Sequence, residues 1–211
     1  MKVASYFKSK TKKLRRKIAQ RLVPKMYDCW LRGVIKERQM IRFLETHFEG
    51  RKGLVGIEIG VYEGSNALSI LNELPMKRLY LIDPYVKYEE TPDQSDYSGA
   101  EDLAKERFSK FPQVIFIKKY SSEAISHIPE QVDFVYIDGN HLYDYVKSDI
   151  QLYFNVTKVG GIIGGHDYAT DNQEDELIKK YCMDVSRAVD EFVKKNNLKL
   201  FTKEEDWWLV K

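Results

Sequence analysis

An apolar run, Leu54 to Ile59, leads into Glu58-Ile59-Gly60-Val61-Tyr62-Glu63-Gly64-Ser65, and a helical pattern from Asn66 to Leu74 leaves it. A buried strand that meets a helix across a glycine-bearing turn opens an α/β sheet and brings bare backbone close to a small polar ligand. Gly60 and Gly64 permit the tight turn and close approach because neither carries a Cβ. The spacing is G-x-x-x-G with an acid two residues ahead of the first glycine, not the G-x-G-x-x-G of dinucleotide sites, so a nicotinamide enzyme is disfavoured. About 23 residues past Gly60, a second run, Arg78 to Ile82, closes on Asp83 and Pro84. An acid in that position is placed to accept hydrogen bonds from two ribose hydroxyls. The competing role for Asp83 is a strand-end turn with Pro84.

From Leu54 onward, short apolar runs alternate with helical patterns, the signature of a parallel sheet covered on both faces. The pattern predicts strands at Leu54–Ile59, Arg78–Ile82, Val114–Lys118, Val132–Ile137 and Gly161–Gly165. Ser98-Gly99-Ala100-Glu101 reads as a capping box before Leu103, Phe108 and Phe111. Leu142, Val146, Ile150 and Phe154 form one face of a helix that Gly160-Gly161 ends, and Val185 to Val193 form the last helix, stopped by Asn196-Asn197. Leu198–Thr202 and Trp207–Val210 read as a closing hairpin around Lys203 to Asp206. The polar, tyrosine-bearing stretch between Asp83 and Ser98 fits neither a strand nor a helix; it reads as a lid over the sheet edge or a plain surface loop.

The strand ends carry further chemistry. Val132 to Ile137 runs into Asp138-Gly139-Asn140-His141, and Gly160-Gly161-Ile162-Ile163-Gly164-Gly165 runs into His166-Asp167-Tyr168. Together, EIGVYEGS, LIDPY, DFVYIDGNH, GGIIGGHDY and a late VSRAVDEF resemble class I S-adenosylmethionine-dependent methyltransferases, over roughly residues 50 to 211. Within that class the chain looks like the small-domain group that includes macrocin-type O-methyltransferases and relatives of cephalosporin hydroxylase.

The resemblance implies a Rossmann-like, doubly wound α/β sheet of seven strands, mostly parallel, in which the closing hairpin supplies the antiparallel strand. It also implies a division into an N-terminal extension, residues 1–49, and a methyltransferase domain, residues 50–211. By the same resemblance, Glu58, Tyr62 and the backbone from Gly60 through Gly64 to Ser65 face the methionine part of S-adenosylmethionine, with Ser65 near its carboxylate. Asp83 holds the ribose, and Ser121 with Ser122 lies near the adenine, where a helix N-cap is the alternative role. Asp138 stands beside the cofactor amine and the acceptor. His141 is a candidate general base, since imidazole titrates near neutral pH. In the resembled pattern the position of Asn140 is often an acid; an amide takes no proton, so the role passes to His141 or Asp167, or is absent. Asp138, His166 and Asp167 form a candidate metal site, for which oxygen ligands suit magnesium and a histidine favours manganese, iron or zinc.

The implied activity is methyl transfer to a hydroxyl of a sugar, glycan or other small polyhydroxylated acceptor. The alternatives are a hydroxylase-like relative and a cofactor-binding, catalytically idle partner subunit, and both keep a homo-oligomer open. The net charge of +2 hides an asymmetry: residues 1–27 hold ten Lys or Arg and no acid, which leaves the other 184 residues at −8. Nucleic-acid binding by such a body is disfavoured, because neutralising phosphates needs a basic face. Val3, Phe7, Leu14, Ile18 and Leu22 recur at near-helical spacing among those basic residues, before Pro24 breaks the pattern. Such a stripe can lie on an anionic membrane surface, or pack on the domain or on a second subunit. Val34 to Phe48 makes a second helix. Cys29 and Cys182 have no metal-ligand spacing and read as reduced thiols of a cytoplasmic protein, at the inner membrane surface if the basic stripe binds lipid. The chain has neither a run of 18 apolar residues nor the apolar core of a secretory signal.

Overall fold

Apolar runs that are buried on both faces have only one stable setting in a chain of this pattern, the middle of a helix-covered sheet. The computed structural model describes residues 38–88, 97, 99–169 and 176–211, with backbone alone for 176–182. Seven strands are formed: β1 (Leu54–Ile59), β2 (Met76–Ile82), β3 (Val114–Ile117), β4 (Val132–Ile137), β5 (Thr157–Gly165), β6 (Leu200–Lys203) and β7 (Asp206–Val210). Their order is β3-β2-β1-β4-β5-β7-β6. The first five are parallel, and β7 pairs antiparallel with both β5 and β6. The expected doubly wound sheet with its antiparallel closing hairpin is therefore present. Every residue of β1 and β4, the two central strands, is buried.

Among the described residues the helices are α1 (Gln39–His47), α2 (Ser65–Glu73), α3 (Ala100–Phe108), α4 (Ser121–Ala124, continued by a 3-10 turn to His127), α5 (Tyr143–Val156) and α6 (Glu176–Asn196). Alternate side chains of each strand feed two cores. One packs Val55, Ile57, Ile59, Val135 and Ile163 with Val146 and Ile150 of α5 and Val185 and Val189 of α6. The other packs Leu79, Leu81, Phe134, Tyr136 and Trp208 with Met40, Ile41 and Leu44 of α1, Leu68 and Ile70 of α2, and Phe108 of α3. Helix α1 shares one compact unit with the sheet, running Arg38–Lys211. Among the described residues no helix is long and apolar enough to cross a membrane.

Two local expectations are corrected. Gly160-Gly161 does not end α5; the helix stops at Val156 and β5 begins at Thr157. Gly160 adopts φ +76°, and the pair sits inside an irregular strand start pinned by the backbone of Lys211. Gly99, at φ +81°, takes the N-cap place of α3 without a side-chain cap, and Glu101 pairs with Lys105 and Lys118 at 2.7 Å each. The basic stripe Val3 to Leu22, Cys29, the first part of the Val34–Phe48 helix, residues 89–96, Ser98 and the side chain of Cys182 lie outside the described residues.

Candidate active site at the carboxyl edge of the sheet

In open α/β sheets the crevice outside the strand carboxyl ends is where ligands bind, and the strand register determines which residues meet there. Ile59 is level with Ile82 and Ile137, and Ile137 is level with Gly165. The next residue of each strand is held by one more backbone bond: Gly60 N–H to Ile82 O (2.9 Å), Asp138 N–H to Ile59 O (2.8 Å) and His166 N–H to Ile137 O (3.1 Å). Gly60, Asp83, Asp138 and His166 thus form a continuous row.

Gly60 has no substitute in this row. Its φ is +84°, and a Cβ there would stand 1.9 Å from the carbonyl oxygen of Asp138. Gly64 has φ +77° and abuts the Phe108 ring, so α3 packs directly against the turn. Asp83 ties the turn to β2: its Oδ2 accepts the N–H groups of Val61 and Tyr62 at 2.9 Å each, and its Oδ1 accepts the N–H of Tyr85 at 2.7 Å. Three of the carboxylate's about four lone-pair directions are thus taken by the turn, which leaves about one for another donor. Tyr62 sits at φ +50°, half exposed, with its ring edge-on to Tyr97.

Behind the turn, Glu58 is 1% exposed. Its Oε1 accepts the side-chain N–H of Asn66 at 3.0 Å, while Oε2 has no hydrogen-bond partner among the described residues. Burial pushes its pKa up to about 8, against the opposing hydrogen bond from Asn66. Asn66 Oδ1, Tyr85 Oη and Asn140 Nδ2 are likewise buried without a hydrogen-bond partner among the described residues. Each such atom costs about 1–3 kcal/mol when left unmet, so a cluster of them along one edge marks where a polar ligand belongs. Ser65 opens α2, whose N-terminus has no side-chain cap, and its Oγ accepts a hydrogen bond from Arg107 (3.2 Å). A helix N-terminus beside a guanidinium suits a carboxylate.

Three side chains converge past β4 and β5: Asp138, His141 and Asp167 offer ligand atoms within 4.8 Å of one another. His141 Nε2 lies 3.1 Å from Asp167 Oδ2 and 3.6 Å from Asp138 Oδ1. His166, expected in a metal set with Asp138 and Asp167, is not in this cluster. Asp167 adopts φ +61°, and the His166 ring lies between Asp167 (Nδ1 to Oδ1, 3.0 Å) and Glu205 (Nε2 to Oε2, 3.2 Å). Burial alone would lower the His166 pKa, but its bond to Asp167 and the nearby acids raise it, and both ring nitrogens already face carboxylates of Asp167 and Glu205. Burial would raise the Asp167 pKa; the bond from His166 and the electrostatic pull of His141, His166 and Arg38 hold it below the usual carboxylate range.

Sequence reasoning missed two residues of this edge. Arg38 NH2 lies 3.3 Å from Asp138 Oδ2, and it is set there because Asp206, buried at the start of β7, accepts the Met40 N–H (2.8 Å) at the beginning of α1. No spacing rule links residues 100 apart, so only the fold exposes this pair. Asn66 directly follows the motif and opens the helical pattern Asn66 to Leu74, a place that carries no signal of a role in the site. Ser121, in turn, is the first residue of α4 and not its N-cap; its hydroxyl donates to the buried Asp149 at 2.5 Å, while Ser122 is exposed. Asn140 Oδ1 accepts the Leu142 N–H at 2.9 Å, a local turn that starts α5.

Comparisons bear on the same residues. A family model described as a methyltransferase domain matches residues 57–168. The uncharacterized protein R132 of Acanthamoeba polyphaga mimivirus is 31% identical over 152 residues, which is 64% of this chain and 64% of that protein, so the match spans just under two thirds of the relative. Among solved structures, a caffeoyl-CoA O-methyltransferase-like protein of Staphylococcus aureus aligns with TM-score 0.65 at 12% identity, covering 95% of this chain and 99% of that one. The O-methyltransferase of Bacillus cereus in complex with SAH aligns with TM-score 0.60 at 13% identity, covering 92% and 96%. At these identities the structural likeness establishes the fold.

Proposed function

This chain belongs to the methyltransferase-domain family whose model spans residues 57–168, and on that premise we propose that it transfers the methyl of S-adenosylmethionine to a hydroxyl of a small polyhydroxylated acceptor such as a sugar. The observation that carries the reading is the row of polar groups at the sheet edge, in which Glu58 Oε2 and Asn66 Oδ1 are buried without hydrogen-bond partners among the described residues. When bound, S-adenosylmethionine supplies an electrophilic methyl group on a sulfonium sulfur. Glu58, Asn66 and Asp138 are acceptors suited to an ammonium, and the N-terminus of α2 with Ser65 and Arg107 suits a carboxylate. Asp83 has about one lone-pair direction left for a ribose hydroxyl while it holds the glycine turn. The SAH complex of the similarly folded Bacillus cereus enzyme supports this choice of cofactor.

His141 then removes the proton of the acceptor hydroxyl, and Asp167 at 3.1 Å stabilises the imidazolium that forms. Arg38, 3.3 Å from Asp138 Oδ2, holds that carboxylate in place beside it. In an alternative to the base role of His141, a divalent ion would be held by Asp138, His141 and Asp167, whose mixed oxygen and nitrogen donors favour manganese over magnesium. Its chemistry there would be to polarise the acceptor oxygen.

Mass spectrometry of the purified full-length protein for retained cofactor, followed by acceptor screening for a gain of about 14 daltons per methyl, tests the reading. Screens run with manganese, with magnesium and with excess chelator separate the ion's contribution. No bound cofactor and no mass gain on any hydroxylated acceptor would refute methyl transfer.

A further inference from the structure

Glu205, in the turn between β6 and β7, holds the end of β5 on two sides. Its backbone carbonyl accepts the Tyr168 N–H at 3.0 Å, and its carboxylate Oε2 lies 3.2 Å from His166 Nε2. Asp167 stands between those two contacts, at φ +61°. A left-handed residue of this kind persists where its surroundings over-determine it. The His166 ring carries the contact inward: its Nδ1 is 3.0 Å from Asp167 Oδ1, and Asp167 Oδ2 is 3.1 Å from His141 Nε2. Carboxylate and imidazole thus alternate, Glu205 to His166 to Asp167 to His141, from the hairpin to the candidate base.

The hairpin does not need the Glu205 carboxylate for its own attachment. β7 pairs with β5 from Ile162 opposite Val210 to Gly165 opposite Trp207. Trp207 is buried, and Asp206 accepts both the Met40 N–H and the Tyr136 hydroxyl. The Glu205 side chain is 37% exposed, so its loss opens no hole in either core. What it does fix is the His166 ring, which faces a carboxylate at each nitrogen. We propose that Glu205 and His166 are positioning residues, which aim the Asp167 carboxylate at His141 and so set that ring toward the acceptor hydroxyl. The base role of His141 rests on the methyl-transfer reading; the chain of contacts rests on the distances. Both residues act through Asp167.

Steady-state methyl transfer by full-length protein, on the acceptor that mass spectrometry identifies, tests the assignment. Losing an outer partner that orients a reacting group costs roughly 10- to 100-fold, so Glu205→Ala should lower kcat by that factor. Its KM, its S-adenosylhomocysteine affinity and its melting temperature should stay close to those of the wild type. Glu205→Gln, which keeps an acceptor oxygen at the same reach, should recover most of kcat. In a His141→Ala background, Glu205→Ala should cost little more, because residues that act as one unit are not additive. Nitrogen NMR of the histidine rings, with S-adenosylhomocysteine bound, needs no acceptor. The His141 signals, assigned by their loss in His141→Ala, should shift in Glu205→Ala. An unchanged kcat or unmoved His141 signals in Glu205→Ala overturns the proposal. So does a loss shared equally by KM or cofactor affinity, one that glutamine fails to recover, or one that persists in full without His141. Wild-type protein that methylates no acceptor refutes the methyl-transfer reading itself, whereas active wild type with an indifferent Glu205→Ala refutes only this positioning chain.

Discussion

Replacing Glu58 with glutamine keeps the shape of the side chain and removes a carboxyl that burial pushes up to about 8 from an ordinary value of 4.5. Between those two pH values the folded protein holds a proton that the unfolded chain has released. Stability of the cofactor-free wild type must therefore fall as pH rises through that window, and it is flat with respect to this group below it. Each pH unit of a fully developed difference is worth about 1.4 kcal/mol. The whole window amounts to at most roughly 4–5 kcal/mol, and water entering the cleft reduces it to about 2 or more. Asp149, raised to about 7 by burial, adds a loss of the same sign that both proteins share.

Urea unfolding of wild type and Glu58→Gln should thus agree within about 1 kcal/mol near the lower end of the window, with the variant roughly 2–5 kcal/mol more stable above its upper end. The gain is offset in binding, because an ammonium facing Glu58 needs the ionised form. Cofactor-product binding to wild type at neutral pH should release about one proton, read from calorimetry in buffers of different ionisation enthalpy, and the variant should release none from this site. Its affinity should fall roughly 10- to 100-fold, the worth of one charge-assisted hydrogen bond. Parallel stability–pH curves for the two proteins would refute the reasoning, because a carboxyl that contributes nothing to the slope is not titrating from the burial described.

Three more perturbations probe the same edge. Asp83→Asn should weaken S-adenosylhomocysteine binding by about 30-fold or more and also lower stability by about 1–3 kcal/mol, since two N–H groups of the glycine turn lose a charged acceptor; unchanged calorimetric affinity would remove Asp83 from the ribose site. His141→Ala should reduce turnover by about 10²–10⁴-fold with cofactor affinity nearly intact, and equal losses in both would point to a structural role. Gly60→Ala should cost about 2–4 kcal/mol or prevent folding, because its Cβ meets the Asp138 carbonyl at 1.9 Å and its φ is +84°; a thermal melt within a few degrees of wild type would contradict that close approach.

The central strands were readable because their environment is simple. β1 and β4 are buried on both faces, so the apolar runs Leu54–Ile59 and Val132–Ile137 mark their ends without ambiguity. β5 was less legible: its first four residues include the exposed Val159 and the left-handed Gly160, and they are strand only because Lys211 pairs with them. In the site, Gly60, Asp83 and Asp138 stand in one row because strand register alone puts them there. Choosing between His141 and His166 needs side-chain direction, which the φ +61° of Asp167 and the pull of Glu205 from the hairpin decide. Arg38 depends on a cap that Asp206 contributes to a helix start 166 residues earlier in the chain, and no local pattern encodes that.

Titration of S-adenosylhomocysteine into the full-length, cofactor-stripped protein is the most direct measurement of the central claim. The site described here predicts saturable binding at one molecule per chain, with proton release near neutral pH that disappears in Glu58→Gln. Protein that is folded by circular dichroism yet gives no saturable heat at millimolar ligand would contradict it.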